Sequence, residues 1–91
     1  MAFIVTRIDV GDYDAWKPMF DQDQPGARET AKGHRILRGV ENPNEVYIVI
    51  EYASTEDAEE GRAKLLASGV LDRFADKDLP KVLAEAEIVI N

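Results

Sequence analysis

The sequence predicts a ferredoxin-like α+β domain built on a four-stranded antiparallel sheet. Hydrophobic, β-prone segments at Phe3–Ile8 and Ala86–Ile90 bracket the chain, a β-hairpin pattern occupies its middle, and a helical pattern fills each gap. The resulting order is β-α-β-β-α-β, the split βαβ arrangement. Residues 1–91 are expected to form one domain, because a chain of this length supports a single core.

A broken helix is predicted after the first strand. Asp12 or Asp14 can accept hydrogen bonds from the free amides of its first turn. Pro18 is tolerated near the start of a helix but kinks a longer one, and Gln24–Gly26 is a second interruption. We therefore expect the helical pattern to stop and to resume over Ala27–Lys32.

The second half of the chain carries clear start and stop signals. Ser54–Asp57 is typical of a capping box at the start of a helix, and Gly69 is a good C-terminal stop. Val70–Ala75 is expected to form a short extra turn. Asp76–Pro80 is predicted to be a polar linker, with Ala86–Ile90 as the last strand.

The central hairpin is predicted from strands at His34–Val40 and Val46–Ala53 with a turn over Asn42–Glu45, where Pro43 suits the first central turn position. This turn pairs Val40 with Tyr47, Arg38 with Val49 and Ile36 with Glu51. It therefore predicts one mixed sheet face, which carries His34, Ile36, Arg38, Val40, Tyr47, Val49, Glu51 and Ala53.

Composition excludes several classes of function. The formal charge of −7 opposes binding to nucleic acid and to anionic membranes. The chain has no cysteine and one histidine, which leaves no disulfide, no thiolate nucleophile and no zinc-ligand spacing. It has no apolar run long enough to span a bilayer. We expect a cytoplasmic protein that uses neither a metal nor a cofactor.

The predicted mixed face supplies the candidate catalytic residues. His34 is suited to proton transfer, Arg38 to steadying a negative charge, and Tyr47 to binding a substrate oxygen. Each has a structural alternative: an exposed histidine, an Arg38–Glu51 ion pair across the strands, and an ordinary strand tyrosine. The candidate substrate-binding residues are Tyr13, Trp16, Phe20 and Glu51.

An aromatic stripe is predicted on the first helix. Tyr13, Trp16 and Phe20 follow one another at i, i+3 and i+7, which places them on one helix face. Such a stripe is either part of the core or the wall of a site for a flat organic ligand. Arg28, close to the Gln24–Gly26 break, is either a guard at the mouth of that site or a solvated side chain.

Three phrases of the sequence resemble the dimeric α+β barrel superfamily, which includes antibiotic biosynthesis monooxygenase-like proteins and small polyketide cyclases. They are Asp12–Lys17 at the start of the first helix, Arg38–Val46 around the hairpin turn, and Ser54–Ala58 at the start of the second helix. The resemblance covers nearly the whole chain. It implies a homodimer that pairs two sheets face to face and a pocket between each sheet and its helices.

Activities implied by the resemblance are cofactor-free oxygenation of polyphenols, cyclisation of polyketides and haem breakdown. The haem-degrading members use an Asn-Trp-His arrangement, and the first strand here has no asparagine. The favoured hypothesis is a small cofactor-independent enzyme that binds an aromatic or polyketide-type molecule. The alternative is a non-catalytic module for ligand binding or dimerisation.

Overall fold

The computed structural model describes residues 1–91 as a four-stranded antiparallel sheet with two α-helices. Its elements are β1 (Ala2–Asp9), α1 (Tyr13–Asp21), β2 (Gly33–Arg38), β3 (Glu45–Tyr52), α2 (Thr55–Ser68), a 3₁₀ turn (Val70–Arg73) and β4 (Lys77–Ala84). The strands lie in the order β2-β3-β1-β4. The predicted ferredoxin-like fold is therefore confirmed. Neither helix is long and apolar enough to cross a bilayer.

The core lies on one face of the sheet, under the helices. Alternate residues of the two central strands point to it and are buried, since successive side chains of a strand face opposite sides. They are Ala2, Ile4, Thr6 and Ile8 from β1, and Val46, Ile48, Ile50 and Tyr52 from β3. The second helix packs on β1, β3 and β4, while α1 reaches the core through Trp16. Each large aliphatic side chain buried here contributes about 1.5–3 kcal/mol.

The predicted helix boundaries are confirmed at both starts. Asp12 caps α1 by accepting a hydrogen bond from the Ala15 amide at 3.2 Å, and Ser54 caps α2 through the Asp57 amide at 3.1 Å. Gly69 ends α2 in the left-handed region at φ 74°. The predicted helical resumption over Ala27–Lys32 is wrong, because this stretch forms only turns.

The last strand lies earlier in the chain than predicted. Lys77–Ala84 pairs with β1, whereas Ala86–Ile90 pairs with no strand. The predicted polar linker over Asp76–Pro80 is wrong, because most of it belongs to β4. Pro80 lies where the register shifts between Val5 and Arg7, and a bulge on an edge strand tolerates proline. The pairing of β4 with β1 thus overrides the higher β-propensity of Ala86–Ile90.

The hairpin register also differs from the prediction. Arg38 pairs with Val46, Ile36 with Ile48 and Leu37 with Tyr47. The predicted turn is present, because the Glu45 amide donates to the Asn42 carbonyl at 3.0 Å, but Gly39–Glu41 form part of the loop as well. A Cβ on Gly39 would lie 2.6 Å from the Asn42 carbonyl oxygen, so the loop can close this tightly only with glycine.

This change of register moves β2 relative to β3 by an odd number of residues, which exchanges the two faces. His34, Ile36 and Arg38 therefore lie on the helix-covered face, opposite Ile50, Ile48 and Val46. The predicted mixed face does not exist as such. The opposite face, here called the open face, carries Phe3, Val5, Arg7, Arg35, Leu37, Tyr47, Val49, Glu51 and Leu83.

At Gly61, α2 lies in close contact with the sheet and with the segment before β2. A Cβ at this position would lie 2.5 Å from the Tyr52 hydroxyl and 2.7 Å from the Ala27 carbonyl oxygen. We expect Gly61→Ala to lower the free energy of unfolding by about 1–3 kcal/mol, because overpacking outweighs the gain in helix propensity.

Urea denaturation checks this prediction. The matched control is Gly33→Ala, since a Cβ on Gly33 meets nothing within 4 Å. A Gly61→Ala midpoint equal to the wild-type value would show that this contact is not a constraint.

Candidate functional site

A largely apolar cavity of about 90 Å³ lies between the helix-covered face of the sheet, α1, the segment that follows α1, and the end of α2. Eleven of its seventeen lining residues are hydrophobic. Its walls include Trp16, Phe20, Ile48, Ile50, Leu71 and Phe74. Apolar walls with a few polar groups at the edge are typical of sites for organic ligands, but such sites usually measure about 300–1,000 Å³, so this cavity is small for one.

The aromatic stripe predicted on α1 is continuous. The Tyr13 and Trp16 ring centroids are 5.7 Å apart, and those of Trp16 and Phe20 are 5.0 Å apart, both in tilted geometry. An arginine lies over each end: the Arg38 guanidinium is 3.9 Å from the Tyr13 ring centroid, and the Arg28 guanidinium is 3.8 Å from that of Phe20. These cation–π contacts help to fix the ring positions.

The segment 22–28 borders the cavity and is tied down at both ends. The Asp23 carboxylate accepts a hydrogen bond from the Arg28 amide at 3.1 Å and lies 3.5 Å from the Arg28 Nε. The Arg28 guanidinium also donates to the Phe20 carbonyl. Arg28 is thus held against α1 at the edge of the cavity and is not the freely solvated side chain of the alternative interpretation.

Tyr52 of β3 holds the same segment against the sheet. Its hydroxyl donates to the Ala27 carbonyl oxygen at 2.6 Å, and the whole side chain is buried. Burial, together with the negative charge of Asp23, raises the pKa of Tyr52 to about 12. The phenol therefore stays protonated at any physiological pH and remains a hydrogen-bond donor.

His34 stands beside this cavity but does not line it. Its ring meets the Phe20 ring edge-on, with centroids 5.2 Å apart, and the residue is exposed on the edge strand β2. Partial desolvation lowers the pKa of His34 below the ordinary 6.5, and the positive charges of Arg28 and Lys17 lower it further against the opposing effect of Asp21. The imidazole is neutral near pH 7 and can accept a proton.

The structure brings five of the seven predicted site residues to one side of the sheet. They are Tyr13, Trp16, Phe20, His34 and Arg38, of which only Trp16 and Phe20 line the cavity. Tyr47 and Glu51 lie on the open face, so the predicted grouping of Tyr47 with His34 is wrong. Arg38 and Glu51 lie on opposite faces of the sheet, so the ion pair considered from the sequence does not form. Arg38 instead donates from Nε to the Pro43 carbonyl oxygen at 2.9 Å.

Ionisable residues that the sequence did not single out lie along the cavity. Asp23 and Arg73 line it together with Arg28. Arg73 forms no ion pair, and its one polar contact is with the Met19 sulfur at 3.5 Å. Two cations and one anion therefore surround the cavity of a protein whose net charge is −7. The interruption at Gln24–Gly26 was the available sequence signal, since loops that break a helix often border sites.

The charges around His34 predict how its pKa responds to substitution. Its pKa in the folded protein should lie below 6.5 and should rise in Arg28→Gln, because that substitution removes a positive charge. In the wild type, the lowered pKa means that His34 binds a proton more readily in the unfolded chain than in the folded protein. The contribution of His34 to stability is therefore complete above about pH 6.5 and decreases as the pH falls towards the folded pKa.

NMR titration of the imidazole gives this pKa directly, because the chain has one histidine. Arg35→Gln is the control, since Arg35 lies on the open face and should leave the titration unchanged. An unshifted pKa in Arg28→Gln would contradict the electrostatic coupling.

Comparison with solved structures places this fold among known proteins. A protein from Nitrosomonas europaea, provisionally described as an antibiotic biosynthesis monooxygenase, superposes with a TM-score of 0.64 at 16% identity, over 96% of this chain and 100% of its own. Atu4242 from Agrobacterium tumefaciens superposes with a TM-score of 0.58 at 15% identity, over 94% of both chains. No family model matches the sequence, and no curated protein does either. The chain therefore shares the α+β fold of these two proteins, the fold that the resemblance in its sequence predicted.

Proposed function

We propose that this protein binds a small aromatic molecule of the polyphenol or polyketide type in the cavity under α1, and that it acts on this molecule as a cofactor-independent monooxygenase or cyclase. The observation that carries the proposal is the apolar cavity walled by Trp16 and Phe20. Flat rings stack on or against such side chains in offset or edge-on geometry. The fold shared with a provisionally described monooxygenase supports the same reading.

The charges along the cavity favour a ligand with a phenolate or enolate oxygen. Arg28 is engaged by Asp23 and the Phe20 carbonyl, whereas Arg73 has no anionic partner. A guanidinium beside an apolar cavity stabilises negative charge that develops on a bound ring. We assign the role first expected for Arg38 to Arg73, because Arg38 stacks on Tyr13 and does not line the cavity.

Oxygenation without a cofactor is chemically consistent with such a ligand. In an anthrone-type substrate, loss of a proton gives an electron-rich enolate that reduces O₂ itself. A ring CH₂ becomes C=O, one oxygen atom enters the product and the other leaves as water. His34, which is neutral near pH 7, is the proposed proton acceptor, and access to it requires a movement of the Phe20 ring.

Non-catalytic ligand binding is the second candidate function. The cavity volume of about 90 Å³ is small for a substrate with several rings, and His34 lies behind Phe20 rather than in the wall. A module that senses or carries a single-ring ligand needs neither proton transfer nor a larger space. Turnover, not binding, distinguishes the two candidates.

Dimerisation through the open face is part of the proposal. Large apolar side chains remain accessible there, including Leu37 at 52%, Tyr47 at 40% and Leu83 at 47%. Phe3, Val5 and Val49 lie beside them on the same face. A self-complementary apolar surface is most often covered by a second copy across a two-fold axis.

Trp16 is the only tryptophan and lines the cavity, so its fluorescence reports on binding. We expect 2-naphthol to quench it with a saturable profile. Phe20→Ala should weaken this binding by about tenfold, because a lost aromatic contact is worth about 0.5–1.5 kcal/mol beyond area burial.

Leu66→Ala is the control for this titration, since Leu66 lies on α2 outside the cavity. Quenching that does not saturate, or that Phe20→Ala leaves unchanged, would count against a ligand site under α1.

His34→Ala tests catalysis. With anthrone as the probe, we expect oxygen consumption by the variant to fall by about 10²-fold or more, which is the usual contribution of a general base. The sedimentation coefficient should stay that of the wild type, because His34 is not on the open face. Wild-type oxygen consumption in His34→Ala would remove His34 from the mechanism, and no oxygen consumption by either protein would favour the non-catalytic candidate.

A further inference from the structure

Thr6 is the only buried residue of the cavity wall that carries a hydroxyl or a charge. It lies on β1 between Ile4 and Ile8, on the helix-covered face, and is 3% exposed. Its hydroxyl donates to the Asp78 carbonyl oxygen at 2.7 Å, close to the register shift of β4. This bond satisfies a carbonyl of the edge strand, and it uses the one proton of the hydroxyl.

The hydroxyl of Thr6 can therefore only accept a hydrogen bond from a ligand. No donor of the chain bonds to its oxygen, so its lone pairs are unused. A ligand with an O–H or N–H group gains a hydrogen bond at this point, whereas an anionic oxygen would face lone pairs and be repelled. Thr6 thus favours a neutral donor group at the buried end of the ligand.

Arg73 offers the opposite chemistry at the exposed edge of the cavity. It lines the cavity, is exposed to solvent and forms no ion pair. The other cation of the wall, Arg28, is held by the Phe20 carbonyl and lies 3.5 Å from Asp23, the one anion of the wall. An anionic group of a ligand therefore finds its free partner in Arg73.

The anion that suits Arg73 near pH 7 is a carboxylate. An unperturbed carboxyl group has a pKa of about 4, whereas a phenol has a pKa of about 10 and is neutral. A carboxylate also matches the planar, forked donors of a guanidinium. A simple phenol supplies only the donor that Thr6 can accept, so one ligand satisfies both residues when it carries both groups.

The size of the cavity favours a ligand with one ring. A closed apolar cavity of about 150 Å³ holds one benzene ring. The cavity under α1 measures about 90 Å³ and is partly open to solvent. A ring can therefore lie against Trp16 and Phe20 while a charged substituent stays at the edge. A single-ring ligand requires the smallest movement of the walls.

From these observations we propose that the cavity selects a single-ring aromatic acid that carries a hydroxyl group, and that Thr6 and Arg73 are its specificity-determining residues. The ring lies against Trp16 and Phe20, the hydroxyl donates to Thr6 Oγ, and the carboxylate pairs with Arg73. This inference rests on the proposed ligand site under α1 and names the class of ligand. It does not depend on catalysis by His34.

Titration with three kinds of probe tests the proposal: benzoate, phenol and the three isomers of hydroxybenzoate. The isomers differ in the distance between hydroxyl and carboxylate, so the tightest of them is used with the variants. The indole N–H signal of Trp16 reports on binding in NMR spectra, because the chain has one tryptophan. We expect the tightest isomer to bind at least about threefold more tightly than benzoate or phenol, since it alone makes both contacts.

Thr6→Val removes the hydroxyl and keeps the shape of the side chain. Binding of hydroxybenzoate and phenol should weaken by about threefold to tenfold, the usual effect of one hydrogen bond, and benzoate binding should not change. Thr6→Ser should restore both. Because Thr6→Val also leaves the Asp78 carbonyl without its donor, the measure is the ratio of hydroxybenzoate to benzoate affinity within each variant. A general loss of stability would weaken all probes alike.

Arg73→Gln should have the complementary effect. Binding of benzoate and hydroxybenzoate should weaken by about threefold, a modest factor because Arg73 is exposed, and phenol binding should not change. Arg35→Gln is the matched control, since Arg35 lies on the open face and should leave the binding of all probes unchanged.

The proposal fails if no isomer of hydroxybenzoate binds more tightly than benzoate, if Thr6→Val weakens all probes alike, or if Arg73→Gln leaves benzoate binding unchanged. Saturable binding of 2-naphthol in any of these cases would retain the ligand site under α1 and remove only this class of ligand. Absence of binding by 2-naphthol and by all the probes would remove both.

Discussion

The buried phenol of Tyr52 connects the three parts of the molecule on which the candidate site depends. It belongs to β3, its hydroxyl holds the Ala27 carbonyl, and it lies against Gly61 of α2. A buried carbonyl without a donor would cost about 1–3 kcal/mol, so this bond specifies where the segment before β2 lies. That segment in turn carries Asp23 and Arg28, which border the cavity. This hydrogen bond thus links the sheet to the edge of the site, and the close contact at Gly61 places α2 against both groups.

The two faces of the sheet differ in the residues that they carry. One is covered by the helices and contains the core and the cavity, and its polar exception, Thr6, is satisfied by the Asp78 carbonyl at 2.7 Å. The other combines exposed apolar residues with an ionic cluster in which Arg7 contacts Glu45, Asp76 and Asp78. Hydrogen bonds to Asp76 and Asp78 raise the pKa of Arg7, so this charge is permanent. The cluster marks the end of the open face where β4 begins.

Arginine placement accounts for much of the electrostatic character of this acidic protein. Arg28 and Arg38 each lie over an aromatic ring of α1, and Arg73 borders the cavity without an anion. Arg35 stands on the open edge strand. The charges of Arg28, Arg38 and Arg73 therefore lie close to α1 and the cavity, where the proposed anionic ligand would bind.

Features that depend on near neighbours in the chain were predictable from the sequence. The cap at Asp12, the cap at Ser54, the stop at Gly69 and the stripe of Tyr13, Trp16 and Phe20 all follow from spacings within a few residues. The order of elements and the ferredoxin-like class follow from these in turn. The grouping of His34 and Arg38 with that stripe was also predicted in part, although by way of a hairpin register that proved wrong.

Features that depend on distant pairings were decided only by the tertiary structure. With the tight approach of Gly39 to Asn42, the hairpin register differs from the predicted one by an odd number of residues. His34 and Arg38 therefore lie on the helix-covered face, and Tyr47 and Glu51 lie on the open face. The fit of Lys77–Ala84 beside β1 left Ile88 and its neighbours without a partner, although their local propensity for a strand is higher. By itself, then, the sequence determined which segments are helices and which can be strands. Packing decided which strands pair and which side chains meet, because a register depends on contacts between residues that are far apart in the chain.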